Sequence, residues 1–444
     1  MKTSVEEISS VKKKLLIEIE SREVDSKLDV AYKKLSKQAK IPGFRPGKTP
    51  RKMLEMHYGN QVMEDVTRDL INETLPRAIE EVKTFPLGTP LLEKGTLKKG
   101  LNFSYSAVID VVPQFKLENY LGLEAEKEKH SVTEKDVQKQ LDQIRDSRGK
   151  LTSIDQDRPI KKDDYVILDY EGFEDGRPLN GIKSPNFILK VGSNDFHADF
   201  EKSLIGLKKD TEKEINVDFE ENYYHSKLAG KSINFKIKII DIKKMILPEL
   251  NNEFAQNFGK DFKDMKDMKS KVKESVSAEE EKRINKELRQ RLLQKISETV
   301  DFELPQILVE NEVNSAVENV KQNLLRNGGN LEKMGLSEEN IRNDFRPVSE
   351  KRVKDMLILN VIAKQEKITI DDEDLDKTFN DLAATTGETP QNIRKYYEER
   401  NVVDSLKETL LEEKTLNYLV DHAKVNEVKK GAISQNNKSD KENN

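Results

Sequence analysis

Between Tyr165 and Phe235 the chain gathers Tyr165, Tyr170, Phe173, Phe187, Phe196, Phe200, Phe219, Tyr223, Tyr224 and Phe235, although aromatics make up only 6% of the sequence. Such density has two readings. A small sheet needs large side chains to fill its core, or the rings together line a concave apolar slot. A slot of that kind has a definite chemistry: it takes in an X-Pro segment, strips water from the imide and favours the twisted transition state over the planar, more polar ground state. The uncatalysed barrier is about 18–20 kcal/mol, and removing about 5 kcal/mol accelerates rotation roughly several-thousandfold. No general acid, base or nucleophile is required, and the sequence offers no convincing triad or carboxylate pair. Histidines 57, 130, 197, 225 and 422 are scattered without a HExxH-type ligand pair, and cysteine is absent. The sequence therefore predicts no metal site, no thiol chemistry and no cofactor.

A second constellation is contiguous. Gly43-Phe44-Arg45-Pro46-Gly47-Lys48 lies in a run carrying Lys33, Lys34, Lys37, Lys40, Arg45, Lys48, Arg51 and Lys52 with no acidic residue, in a protein of net charge -5. A turn pinned by two prolines and glycines, bearing an aromatic ring and several cations, suits a large polyanionic partner. Followed by Thr49, it superficially resembles a nucleotide phosphate loop. The spacing is one residue short of GxxxxGK followed by Ser or Thr, Pro46 removes an N–H the cradle needs, and the preceding element reads as helix rather than strand. A plain helix–turn–helix connection is the bland alternative.

Elements must hold these residues in place. In a chain of 444 residues, about two to four domains are expected; with 35% hydrophobic and 36% charged residues, surface is large relative to core. This predicts an elongated, multi-domain, largely helical molecule. Ile17 and Ile19, and Leu101, Phe103, Tyr105, Ala107, Ile109 and Val111, alternate as half-buried strands. Between them Val24, Leu28, Ala31, Leu35 and Ala39 recur at helical spacing, the helix stopping at Pro42-Gly43. A second helix begins after Thr49 as cap with Pro50 at its first position. Residues 1–112 thus form an α+β domain with the basic loop at the tip between two helices, and 113–160 a charged connector with a helix from Thr133 to Gly149. Residues 161–246 switch to period 2, a mostly antiparallel sheet with turns at Asp175-Gly176 and Gly192-Ser193-Asn194-Asp195.

Residues 247–430 form an all-α region whose helices run to about residue 426. Leu304, Leu308, Val309, Val313, Ala316, Val317, Val320 and Leu324 make one apolar stripe, and Val353, Leu357, Val361 and Ile362 another. These are an ordinary bundle or dimer interface, or partly covered patches that hold unfolded polypeptide, with Met265, Met268, Met334 and Met356 adding plasticity. Residues 431–444 read as a disordered tail. The N-terminus lacks a signal-like apolar run and no stretch approaches membrane-span length, so a cytoplasmic protein without a membrane partner is expected.

With these residues in view, Gly43-Phe44-Arg45-Pro46-Gly47-Lys48 resembles the ribosome-docking signature of the bacterial trigger factor family. Asp169-Tyr170-Glu171-Gly172, Asp175-Gly176, Phe187 to Gly192, Phe200-Glu201, Gly206 and Leu228-Ala229-Gly230-Lys231 are similar to its FKBP-type isomerase domain. Leu304 to Val309 with Glu312 resembles the opening of its substrate-cradling helical region. The resemblance covers nearly the whole chain. It implies an ATP-independent chaperone with three parts: an α+β ribosome-docking domain, an FKBP-like antiparallel sheet domain and an elongated all-α chaperone domain. Gly43, Phe44, Arg45, Pro46, Gly47 and Lys48 would meet protein and ribosomal RNA beside the exit tunnel of the large subunit, with nascent and unfolded polypeptides as clients and a homodimer off the ribosome. Tyr170, Phe187, Phe200, Tyr223 and Phe235 would be the prolyl isomerase residues. One stretch departs from the pattern. Phe196-His197-Ala198-Asp199 stands where an aliphatic residue, proline and glycine are usual, which predicts weaker isomerase activity: His197 puts a polar ring in an apolar wall, and Asp199 a charge that resists desolvation. An RNA-binding protein and a non-catalytic helical scaffold with an inactive FKBP-like module are the rival readings.

Overall fold

The computed structural model describes residues 1–42, 44, 47–154, 158–221, 223, 228–259, 262–326, 329, 331, 337–430 and 432–433. The chain divides into two compact units: Met1–Gly122, Leu293–Val317 and Arg342–His422 in one, Leu123–Leu292, Glu318–Ile341 and the chain from Ala423 in the other.

The first unit begins with strands β1 (Lys2–Ser9) and β2 (Lys12–Ile19) and helices α1 (Ser21–Gln38) and α2 (Arg51–Glu81). Strands β3 (Leu91–Lys94) and β4 (Phe103–Asp110) complete an antiparallel sheet ordered β1-β2-β4-β3. The two helices bury Val24, Leu28, Leu54, Val62, Val66 and Leu70 with Leu15, Ile17, Ile19, Phe103, Tyr105, Ala107 and Ile109 from one sheet face. This is the parity expected of β2 and β4. Leu101, assigned to the same strand, instead precedes it in a turn and is 57% exposed. Strand β1 escaped sequence reading because its residues are mostly exposed and show no alternation. Pro50 is the N-cap of α2 in extended geometry, not its first residue, and Thr49 is buried ahead of it.

The connector holds more than the expected helix. Strand β5 (Glu124–Glu128) precedes α3 (Glu134–Ser147), and β6 (Lys150–Ser153) follows it. Thr133 caps α3 in a reciprocal capping box with Asp136, which is why the helix starts there. Next come β7 (Tyr165–Glu174), β8 (Arg177–Lys190), α4 (Ala198–Leu204), β9 (Glu212–Asp218) and β10 (Ser232–Ile246). They form a five-stranded antiparallel sheet in which β10 is flanked by β7, β6 and β9, and β8 lies beyond β7. Asp175 and Gly176 both have positive φ, +48° and +80°, as a tight hairpin between right-twisted strands requires.

Helices α5 (Asn252–Phe258), α6 (Met265–Thr299), α7 (Gln306–Arg326), α8 (Glu338–Gln365), α9 (Asp372–Thr386), α10 (Pro390–Glu399) and α11 (Val403–Asp421) follow, then strand β11 (Lys424–Val428). The helical region therefore ends at Asp421, short of the expected residue 426: β11 pairs in parallel with β5, a pairing with no local signal because its partner lies near the other end of the chain. Of the first apolar stripe only Val309, Val313 and Val317 are fully buried; of the second, Val353, Leu357 and Ile362 are, while Val361 is half-buried. Met268 is fully buried beside Val137, Leu141 and Phe254, so it is core rather than an adaptable surface. Met334, and the tail apart from Ala432 and Ile433, lie outside the described residues. No helix among those described is long and apolar enough to cross a membrane.

Candidate functional site: an aromatic cluster and a basic loop

The five sequence-predicted isomerase residues come from five separate stretches of chain, and the fold of the sheet brings them together. Tyr170 lies on β7, Phe187 on β8, Phe200 on α4, Phe235 on β10, and Tyr223 after β9. Phe200 and Phe235 are fully buried with ring centres 5.3 Å apart, edge to face, and form a floor. Tyr170 stands 6.1 Å from Phe235 and 5.3 Å from Phe187. Tyr223 joins through Phe219, 4.6 Å away, itself 6.2 Å from Phe235. Such edge-on and tilted pairs are the favoured arrangement of aromatic quadrupoles. Tyr170, Phe187 and Tyr223 are half-buried, so the cluster is a core on one side and accessible on the other. Phe200 and Phe235 are core, and the half-buried rings are those left partly accessible.

Two further rings belong to the cluster beyond the five expected from sequence. Phe196 lies 4.6 Å from Phe200, 5.4 Å from Tyr170, 5.5 Å from Phe235 and 5.9 Å from Phe187, which puts it at the centre of the cluster. Phe219 bridges Phe235 to Tyr223. A signal was available for each: Phe196 precedes Phe200 by one helical turn, and Phe219 shares parity with buried Ile215 and Val217. Tyr224 and His225 lie outside the described residues.

The departure at residues 197–199 is accommodated differently from expectation. His197 is the N-cap of α4: its Nδ1 accepts the Asp199 N–H at 3.3 Å, and its ring packs 4.9 Å from Phe219 and 6.1 Å from Tyr223. The polar ring does join the aromatic wall. Asp199 does not. Its side chain is 68% exposed and takes a 3.0 Å bond from Lys202, which holds its carboxyl below the usual range. The feared charge therefore faces water and imposes no desolvation cost on the cluster.

Of the basic loop, Gly43, Arg45 and Pro46 lie outside the described residues. Phe44 is 37% exposed, its N–H donating to the Ile41 carbonyl at 3.1 Å. Gly47 has φ +86°, a conformation that favours glycine, and its N–H donates to the Ser36 carbonyl at 2.7 Å, tying the loop back onto α1. Lys33, Lys34, Lys37, Lys40, Lys48 and Lys52 are all exposed. Arg51 is the exception among the described residues of the run. It bonds Asp29 and Glu55 and lies 4.9 Å over the ring of Tyr32, and it holds the Asp29 carboxyl below the usual range. Its charge serves the helix pair rather than the field in front of the loop.

Comparison with known proteins bears on the chain's family and its segments. The family description "Bacterial trigger factor protein (TF)" matches residues 1–144, its C-terminal counterpart residues 264–421, and "FKBP-type peptidyl-prolyl cis-trans isomerase" residues 156–240. The trigger factor of Geotalea uraniireducens (strain Rf4) is 35% identical over 434 residues, covering 98% of this chain and 100% of its own. That of Caldicellulosiruptor bescii is 34% identical over the full length of both. A solved trigger factor chaperone, studied for promiscuous substrate recognition in folding and assembly, aligns with a TM-score of 0.51 over 95% of this chain and 99% of that one; at 23% identity it speaks for the fold alone. Similar from end to end to trigger factors, with the N-terminal, FKBP-type and C-terminal family segments in order along it, this chain belongs to the trigger factor family, ribosome-associated chaperones that carry an FKBP-type peptidyl-prolyl isomerase domain.

Proposed function

We propose that Tyr170, Phe187, Phe200, Tyr223 and Phe235, with Phe196, form the prolyl site. The observation that carries this is the graded burial of the cluster, a dry floor of Phe200 and Phe235 beneath half-open Tyr170, Phe187 and Tyr223. An X-Pro segment seated there loses water from its imide. The planar ground state has the larger charge separation and depends more on that water, so the twisted transition state gains relative to it. Rotation needs no proton transfer.

Gly43, Phe44, Arg45, Pro46, Gly47 and Lys48 dock the chain on protein and ribosomal RNA of the large subunit beside the exit tunnel. Phe44 supplies apolar contact, and the exposed lysines on either side supply attraction to phosphate. The work divides along the chain: 1–112 docks, 113–160 connects, 161–246 isomerises and 247–430 holds nascent and unfolded polypeptide. Apolar side chains left exposed on the helices, Leu325, Val348 and Tyr396, support the last assignment. The protein works in the cytoplasm and pairs as a homodimer off the ribosome. Replacing Phe44, Arg45 and Lys48 together by alanine is expected to abolish co-sedimentation with ribosomes; unchanged binding sinks the docking assignment.

A further inference from the structure

Glu201 follows the floor residue Phe200 and is only 1% exposed. A carboxylate so far from water requires donors, and among its partners are three backbone N–H groups of one turn. Oε2 accepts from Gly192 at 2.8 Å and Asn194 at 2.9 Å, and Oε1 from Phe196 at 3.2 Å. The turn needs such a partner. Gly192 and Asn194 both lie in the left-handed region, with φ of +94° and +61°, and turns of this kind direct successive N–H groups into a concavity that favours negative charge. On its other side, the Phe196 carbonyl accepts the Tyr223 hydroxyl at 2.7 Å. Both peptide groups of Phe196 are therefore held, one by a charge anchored next to the floor and one by a ring of the wall.

We propose that Glu201 is a positioning residue for prolyl isomerisation: its buried carboxylate fixes the 192–196 turn, and with it the Phe196 ring, in register with the Phe200–Phe235 floor, and the Tyr223 hydroxyl completes the clamp. This rests on the aromatic cluster being the prolyl site. The carboxylate matters more than its bulk, because hydrogen bonds to an ionised acceptor are about twice as strong as neutral ones. Glutamine keeps the shape but presents an NH2 to backbone donors, which leaves at least one N–H of the turn unpaired.

The test uses the full-length chain and a short X-Pro peptide, at a temperature well below thermal unfolding, with Glu201→Gln, Tyr223→Phe and Phe187→Ala measured side by side. Glu201→Gln is expected to lower kcat/KM about tenfold, and Tyr223→Phe, which removes only a hydroxyl, about threefold. Amide hydrogen exchange should accelerate at Gly192, Asn194 and Phe196 in Glu201→Gln while the β10 amides stay protected. A merely structural glutamate would lower the unfolding midpoint and leave kcat/KM of the folded protein in place, which overturns the proposal. A rise in kcat/KM overturns it too, since the clamp would then be holding Phe196 in the way of substrate. Should Glu201→Gln fail to fold, Tyr223→Phe decides by the same criterion. If Phe187→Ala lowers kcat/KM while both clamp variants leave it unchanged, the positioning role fails and the prolyl site stands. If Phe187→Ala changes nothing, the prolyl site itself is misplaced, and the positioning role falls with it.

Discussion

The basic loop and the aromatic cluster solve opposite physical problems. The loop keeps its cations in water, where Lys33, Lys34, Lys37, Lys40, Lys48 and Lys52 are all exposed, and relies on a locally fixed backbone at Gly47. The cluster removes its rings from water and depends on strands far apart in the chain, Tyr170 on β7 and Phe235 on β10. One is a long-range field on a short segment; the other is short-range contact over a long segment. The lesson is that the two should respond to different perturbations.

Salt should separate them most. Raising ionic strength from about 50 to 200 mM is expected to weaken ribosome binding by about a hundredfold through counterion release, while kcat/KM on an uncharged X-Pro peptide stays within about twofold. Equal sensitivity in co-sedimentation and isomerase assays would erase the distinction. Phe187→Ala opens one half-buried wall and should lower kcat/KM about tenfold with ribosome binding untouched. Loss of both activities would mean that the two sites are coupled.

Acid should act on neither site first, but on the ionic network beneath β5. Arg283 bonds Glu280 at 2.9 Å, Glu287 at 2.6 Å and buried Glu128 at 2.6 Å, and Lys430 adds 2.8 Å to Glu280. The hydrogen bond from Arg283 is the main cause that holds the Glu280 carboxyl down to about 2. A depressed carboxylate stabilises the fold above its unfolded pKa and ceases to do so as protons bind. The network's contribution, of the order of 2 kcal/mol, is thus present above about pH 4.5 and lost as pH falls toward 2. Glu280→Gln should flatten that part of the stability-versus-pH curve measured by denaturant unfolding, and an unchanged curve refutes the assignment. The smallest effect expected is from Thr133→Ala, which removes the α3 cap and should cost about 1 kcal/mol without changing either activity.

Much of this was legible in the sequence because the signals were local. The parity of Phe103, Tyr105, Ala107 and Ile109, the Asp175-Gly176 hairpin and the start of α3 after Thr133 each depend on near neighbours. The hexapeptide from Gly43 to Lys48 is contiguous, so its composition and resemblance could be read without a fold. What could not be read were pairings across the chain. Strand β11 exists because β5 offers it an edge; Asp199 faces water, paired with Lys202; Arg51 is withdrawn from the basic face by Asp29 and Glu55.

By itself, then, the sequence determined the family, the order of the three functional segments and the aromatic supply of the middle sheet, since periodicity, turn chemistry and a contiguous motif survive in one dimension. Only the tertiary structure decided which rings meet, that Phe196 stands at their centre and that Glu201 and Tyr223 hold it there. Those facts depend on distances between residues that chain order leaves free and that packing on the Phe200–Phe235 floor fixes.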